Sequence, residues 1–392
     1  LTKAITLFEQ VLTDRIRILG EDHPGTLTSR NSLAYAYHSA GRLAEAITLF
    51  EQVLTDSIRI LGEDHPNTLT SRNNLASAYA SAGRLTKAIT LYEQVLTDCV
   101  RILGEDHPDT LTSGNNLAYA YASAGRLTKA ITLFEQVLTD RIRILGEDHP
   151  DTLTSRNNLA GAYQRSGRLD EAIALYEQVL TDSIRVLGED HPDTLASRNY
   201  LAGAYESAGR LTEAIALYEQ VLTDSIRVLG EDHPDTLTSR NYLAGAYRSA
   251  GRLTEAIALY EQVLPDRIRI LGEDHPNTLN SRNNLACAYE SAGRLTEAIT
   301  LYEQVLTDRI RILGEDHPDT LASRNNLACA YHAAGRLTEA IQLFEQTLQD
   351  CIRVLGEAHP FTATVRENLE AAKRELDQQA EDSANEEREQ ED

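Results

Sequence analysis

Apolar and polar positions along this chain follow a helical period, and the helical pattern is itself repeated. In the stretch 66–104, Leu69, Leu75, Ala76, Ala78, Tyr79 and Ala82 form one apolar stripe. Leu85, Ala88, Ile89, Leu91, Tyr92, Val95, Leu96, Val100, Ile102 and Leu103 form a second. Spacing of this kind predicts two amphipathic helices, A and B. Pro66 suits the first position of helix A, where its missing N–H would have no partner anyway, and Asp64 or His65 is the expected cap. Gly83 closes helix A and Gly104 closes helix B. The tripeptide Glu105-Asp106-His107 then links to the next helix A.

The unit recurs at constant length. Gly41, Gly83, Gly125, Gly167, Gly209, Gly251, Gly293 and Gly335 each follow the last by 42 residues, and the His-Pro pairs from His23 to His359 keep the same interval. One helix pair cannot bury both of its faces, and stacking on the next pair does so, which is why such units come in arrays. The expected fold is an all-α solenoid of antiparallel helix pairs over residues 1–378. It comprises a lone helix B (1–19), eight A/B pairs (24–356) and a capping helix (360–378) in which Glu367 and Glu370 replace the usual Asn and Ala. Residues 379–392 are acidic, lack large apolar side chains and are expected to be a disordered tail. Leu1 falls inside a unit, so we read the sequence as continuing from a longer protein. Pro265, inside a helix B, is expected to kink it near Glu261.

Charge and composition remove several function classes. The net charge of -23 opposes binding to nucleic acid or to an anionic membrane surface. No apolar run approaches the roughly 20 residues of a membrane helix. Cys99, Cys287, Cys329 and Cys351 show no metal-binding spacing and are expected to be reduced thiols of a cytoplasmic protein. The repeated Glu-Asp-His-Pro offers too few ligands per loop for zinc. No phosphate-binding glycine loop, nucleophile elbow or metalloprotease motif occurs. We therefore expect no catalytic residues, no metal and no cofactor.

Leu75, Ala76, Tyr79, Gly83, Ala88 and Tyr92 carry the spacing of the tetratricopeptide signature. The chain resembles that family over about residues 1–375. Its longer unit, with LGEDHP, NNLA and GRLTEAIALYEQ, is similar to the kinesin light chain type and to long bacterial arrays. The resemblance implies a right-handed superhelix with helices A lining a concave groove that holds an extended peptide or partner segment. It also implies an asparagine ladder that clamps the peptide backbone, here at Asn74, Asn116, Asn158, Asn284, Asn326 and Asn368, broken by Ser32, Tyr200 and Tyr242. The preceding position is asparagine as well, including Asn157, Asn199 and Asn241. Arg30, Arg72, Arg156, Arg198, Arg240, Arg282 and Arg324 stand where the family usually has a large apolar residue. They either offer planar donors to ligand carboxylates or form ion pairs with a helix B glutamate such as Glu93.

The repeats differ most at two helix A positions. One reads Tyr35, Ser77, Tyr119, Gly161, Gly203, Gly245, Cys287, Cys329, and the other His38, Ala80, Ala122, Gln164, Glu206, Arg248, Glu290, His332. Both share a helix face with the ladder. Residues 156–250 are the expected contact zone, with Tyr200 and Tyr242 as aromatic anchors and the glycines leaving space beside them. The expected function is a protein-interaction scaffold. The alternatives are a sensor or autoinhibitory arm of a larger NLR-like signalling ATPase, and an array that self-associates through its exposed end repeats.

Overall fold

The structure, a computed structural model, describes the backbone of residues 2–391 and the side chains of residues 3–382. It is an all-α helical-repeat solenoid, with eighteen helices and no strand among the described residues. The chain divides into two units. In the first, Leu1–Ala250, helices B are α1 (Thr2–Leu19), α3 (Leu43–Leu61), α5 (Leu85–Leu103), α7 (Leu127–Leu145), α9 (Leu169–Leu187) and α11 (Leu211–Leu229). They alternate with helices A: α2 (Pro24–Ser39), α4 (Pro66–Ser81), α6 (Pro108–Ser123), α8 (Pro150–Arg165), α10 (Pro192–Ser207) and α12 (Pro234–Ser249). In the second, Gly251–Asp392, helices B are α13 (Leu253–Leu271), α15 (Leu295–Leu313) and α17 (Leu337–Val354). The helices A there are α14 (Pro276–Ser291), α16 (Pro318–Ala333) and α18 (Pro360–Glu391).

Each invariant letter of the unit has a bonding role. The histidine, not the aspartate, caps helix A: His65 Nδ1 accepts the Asn67 N–H at 3.1 Å, and the eight other copies do the same at 3.0–3.2 Å. The buried threonine two residues past the proline ties the link back to the preceding helix, as Thr68 Oγ1 donates to Gly62 O at 2.8 Å. At the other end, Arg84 N–H bonds Tyr79 O at 2.8 Å and Gly83 N–H bonds Ala80 O at 3.0 Å, a Schellman closure that needs the positive φ of Gly83, 70°. The small-aromatic core repeats likewise. Leu75, Ala76, Tyr79, Ala88, Ile89, Tyr92 and Val95 are all buried.

Two polar devices join successive units. The helix A tyrosine donates to a glutamate of the preceding helix B: Tyr121 to Glu93 at 2.6 Å, Tyr205 to Glu177 at 2.8 Å, Tyr331 to Glu303 at 2.7 Å. Burial and this glutamate together push the Tyr121 hydroxyl up to about 12. The second device is a four-membered chain of charges. Loop Asp148 takes both Nη atoms of Arg185, at 2.5 and 2.7 Å, Arg185 also holds Asp182 at 2.8 Å, and Asp182 holds the buried Arg156 at 2.7 Å. The Arg185 guanidinium holds the Asp148 carboxyl below its usual range.

Helix α13 spans Pro265 without ending there. Two differences from the sequence reading follow from local chemistry. The helix B stripe turns slightly, so that Cys99 is buried and Val100 exposed. Helix α18 continues past residue 378 to Glu391, over a segment without proline or glycine and rich in Ala, Gln and Glu, all strong helix formers. Asp392 and the side chains beyond residue 382 of the expected tail lie outside the described residues.

Candidate functional site

The ladder asparagines meet one another. Asn74 Nδ2 donates to Asn31 Oδ1 at 3.2 Å, Asn116 to Asn73 at 3.1 Å, Asn158 to Asn115 at 2.9 Å and Asn326 to Asn283 at 3.1 Å. Each rung thus spans two successive helices A and uses both asparagine columns. Asn284 is half-buried and Asn241 buried.

At Tyr200 and Tyr242 the rung is missing. A phenol stands where the amide donor would be, and the oxygens that would have received it, Asn157 Oδ1 and Asn199 Oδ1, are covered from solvent without a hydrogen-bond partner. Asn199 Nδ2 turns instead to Ser239 Oγ at 3.2 Å. The displaced tyrosines lie against helix B rings: Tyr200 stacks on Tyr176 with centroids 6.0 Å apart, and Tyr242 lies 6.0 Å from Tyr218. Both keep nearly half of their surface in solvent, 49% and 42%, as Tyr119 does at 47%. Tyr119 packs edge-on against Phe134 and donates to Asn158 Oδ1.

The glycines beside these rings are filled rather than empty. A Cβ at Gly161 or Gly203 would stand 3.3 Å from the hydroxyl of Tyr176 or Tyr218. Where helix A carries Tyr35 or Tyr119, helix B carries Phe50 or Phe134 and lacks that hydroxyl. Burial raises the Tyr176 and Tyr218 hydroxyls well above their ordinary value, so both act as neutral phenols.

The second variable column makes contacts along the stack. Gln164 Nε2 donates to Gly203 O at 3.1 Å and to Ser207 Oγ at 2.8 Å, and Ser249 Oγ donates to Glu206 Oε1 at 2.6 Å. Arg248 is half-buried.

Two of the arginines expected for the groove lie elsewhere. Arg156 and Arg198 are buried in the seam between helices A and B and pair with Asp182 at 2.7 Å and Asp224 at 2.9 Å. Arg240 is half-buried. Arg156 and Arg198 take the helix B aspartate, because the helix B glutamates Glu177 and Glu219 are already engaged by Tyr205 and Tyr247 of the next unit.

A third variable position escaped the sequence reading. Arg15, Ser57, Cys99, Arg141, Ser183, Ser225, Arg267, Arg309 and Cys351 occupy one site of helix B, which in most copies is buried. Its alternation of Arg with Ser or Cys was the available signal. Near Ser183, between α8 and α10, lies a cleft of about 430 Å³, lined by Tyr119, Asn157, Asn158, Ser183, Ser197 and Tyr200 among others. That size lies within the ~300–1,000 Å³ typical of ligand sites. The cleft includes Tyr200, one of the two exposed tyrosines of the expected contact zone, together with Tyr119 from outside it. No cluster of His, Cys, Asp or Glu able to hold a metal exists among the described residues.

The tetratricopeptide repeat family model matches nine overlapping stretches, residues 1–56, 33–99, 73–139, 109–182, 155–225, 193–267, 241–310, 290–350 and 330–386. Among solved structures, the chain is similar to a Podosopora anserina protein of nearly identical TPR-like repeats, described as a kinesin light chain. Identity is 38%, covering 52% of this chain and 97% of that one, with a TM-score of 0.46. It is also similar to BtubC (BKLC) from P. vanneervenii, with 24% identity, 60% and 94% coverage and a TM-score of 0.47. A Rap protein complexed with Competence and Sporulation Factor shares the fold at 12% identity, with 90% and 99% coverage and a TM-score of 0.50. No curated protein gives a significant match.

Proposed function

Because the chain belongs to the tetratricopeptide repeat family, with units of the 42-residue kinesin light chain-like type, we propose that it is a non-catalytic cytoplasmic scaffold that binds an extended peptide or partner segment along helices A. The family serves generally in protein–protein interaction. The observation that carries the finer reading is the broken ladder, with two exposed tyrosines above two orphaned asparagine oxygens in adjacent units. Tyrosine is among the residues most enriched in interaction hot spots. Asn74, Asn116, Asn158, Asn284 and Asn326 flank that zone with amides that both donate and accept, suited to a backbone of any sequence. The net charge of -23 disfavours nucleic acid, and no helix among the described residues is long and apolar enough to cross a membrane.

The test is a peptide-array binding assay with the full chain and with a Tyr200→Ala/Tyr242→Ala/Asn158→Ala variant. Peptides captured by the parent and lost by the variant support the reading. Capture indifferent to the variant moves the site away from helices A.

A further inference from the structure

The array contains its own guide to what fits the Ser183 cleft. In four units the equivalent helix B residue is arginine, and its guanidinium enters the gap before the next helix A. Arg141 Nη1 donates to Asp151 O and Ser155 Oγ, both at 2.9 Å. Arg267 repeats this on Asn277 O at 2.8 Å and Ser281 Oγ at 2.7 Å. Arg309 repeats it on Asp319 O at 2.9 Å and Ser323 Oγ at 2.7 Å, and adds Nη2 to Asn280 Oδ1 at 2.5 Å. Arg15 reaches Gly25 O at 2.6 Å. The three later arginines are nearly fully buried, so the gap accepts a whole guanidinium among neutral oxygens.

At Ser183 that arginine is absent and the same acceptors remain. Asp193 O and Ser197 Oγ correspond to Asp319 O and Ser323 Oγ, and with no guanidinium between them Ser197 Oγ donates to Asp193 O at 2.9 Å. Both residues line the cleft. The gaps beside Ser57 and Cys99 are smaller, about 190 and 150 Å³, and lie where the asparagine rungs are intact. Beside Ser183 the rung is broken, the Asn157 amide lines the cleft with its oxygen unpaired just below the surface, and Tyr119 and Tyr200 supply two exposed rings. The two rings and the extra amide favour a planar, donor-rich cation, and of the two charged residues in the lining Asp193 is acidic while Arg165 is tied to Ala122 O at 2.8 Å. Aromatic faces attract guanidinium, unmet oxygens accept from it, and the acidic chain draws it in.

We propose that this cleft is an arginine-recognition subsite. It takes the side chain of an arginine in the extended partner segment, in the place that Arg141 and Arg309 occupy in their own units. The proposal rests on the peptide-binding reading above and specifies one residue of its ligand.

The experiment is selection from a random peptide library on the full chain and on Ser183→Arg. The substitution copies a residue that four units already hold, so a melting curve within a few degrees of the parent is expected. Arginine should be enriched at one position for the parent and not for the variant. In a selected peptide, replacing that arginine by citrulline, its uncharged isostere, should weaken binding more than tenfold, and Ser183→Arg should do the same to the original peptide. Selected peptides that lack arginine, bind the Ser183→Arg variant equally and are lost on Tyr200→Ala/Tyr242→Ala/Asn158→Ala would overturn the subsite and leave the groove standing. Failure to select any peptide would overturn both.

Discussion

The charge chain between helices can be broken from either end, and the two ends should not cost the same. Arg156 has a side chain 3% exposed, and Asp182 has one 15% exposed. Asp182→Ala leaves the buried guanidinium with only Glu147, 3.5 Å away and largely in solvent. An uncompensated buried charge costs about 3–5 kcal/mol, and the residual Glu147 contact places this case at about 3 kcal/mol. Arg156→Met removes the buried charge itself. Asp182 then keeps Arg185 at 2.8 Å, and methionine refills most of the stem's volume. The expected cost is about 1 kcal/mol or less, since replacing a buried charge by an apolar side chain is often neutral. The array already contains the gentler change. Gly114 replaces the arginine in one unit, and Asp140 persists with Arg143 at 3.0 Å. No complete A/B pair keeps the arginine without the aspartate. Because a repeat array opens locally, the assay should be hydrogen exchange of the α8 and α9 amides, supported by urea unfolding. Equal costs at the two ends, or a loss under about 1 kcal/mol for Asp182→Ala, would refute the asymmetry.

Acid should loosen the whole array. Arginine partners hold Asp22, Asp64, Asp106, Asp148, Asp190 and Asp274 below the ordinary carboxylate value. A lowered folded-state pKa contributes stability that is full above the unfolded value of about 3.9 and is lost as pH falls below it. Burial holds His38 and His275 low as well, so their loss begins below about pH 6.5. Melting temperatures should therefore decline gently from pH 7 to 5 and steeply toward pH 3, and a flat profile would contradict the charge chain. Pro265→Thr should stabilise α13 by up to about 3 kcal/mol, because threonine restores the helical N–H bond and its hydroxyl repeats the 2.8 Å bond from Thr307 to Glu303 O. Urea denaturation reads that gain. Gly161→Ala offers about 1 kcal/mol of helix propensity, but its Cβ meets the Tyr176 hydroxyl at 3.3 Å. The full gain should appear only in the Tyr176→Phe background, and an equal gain in both backgrounds would separate the two positions.

The fold was legible because everything that builds it recurs. Pro66, Gly83 and Gly104 bracket helices that run Pro66–Ser81 and Leu85–Leu103, as the periodicity predicts. What the sequence concealed depends on relations between units. Glu93 and Asp98 lie on the same helix B, and nothing local says which of them receives Arg72. The answer follows from the next unit, whose Tyr121 claims Glu93 and leaves Asp98, which takes Arg72 at 2.5 Å. The asparagine columns hid their rungs in the same way, because Asn158 meets Asn115 only across a stacking offset. Cys99 was misjudged by a rotation of one residue on a broad stripe, and its whole column of arginines and serines went unnoticed with it.

That column and the broken rungs bear on one another energetically. Replacing a ladder asparagine by Tyr200 leaves Asn157 Oδ1 covered and unmet, which costs about 1–3 kcal/mol. The ring stack on Tyr176 returns about 0.5–1.5 kcal/mol. The balance is unfavourable or near zero in the unbound chain, and Tyr242 above Asn199 repeats it in the next unit. At an intact rung a ligand donor must displace an existing amide bond. At Asn157 no amide bond has to be broken, only the covering atoms moved aside, and the oxygen is already stripped of water, so an equivalent contact yields more binding energy there. A broken rung is therefore a weakness in the stack, the proposed binding reading makes it the foothold for a partner, and the Ser183 cleft includes the Tyr200 break.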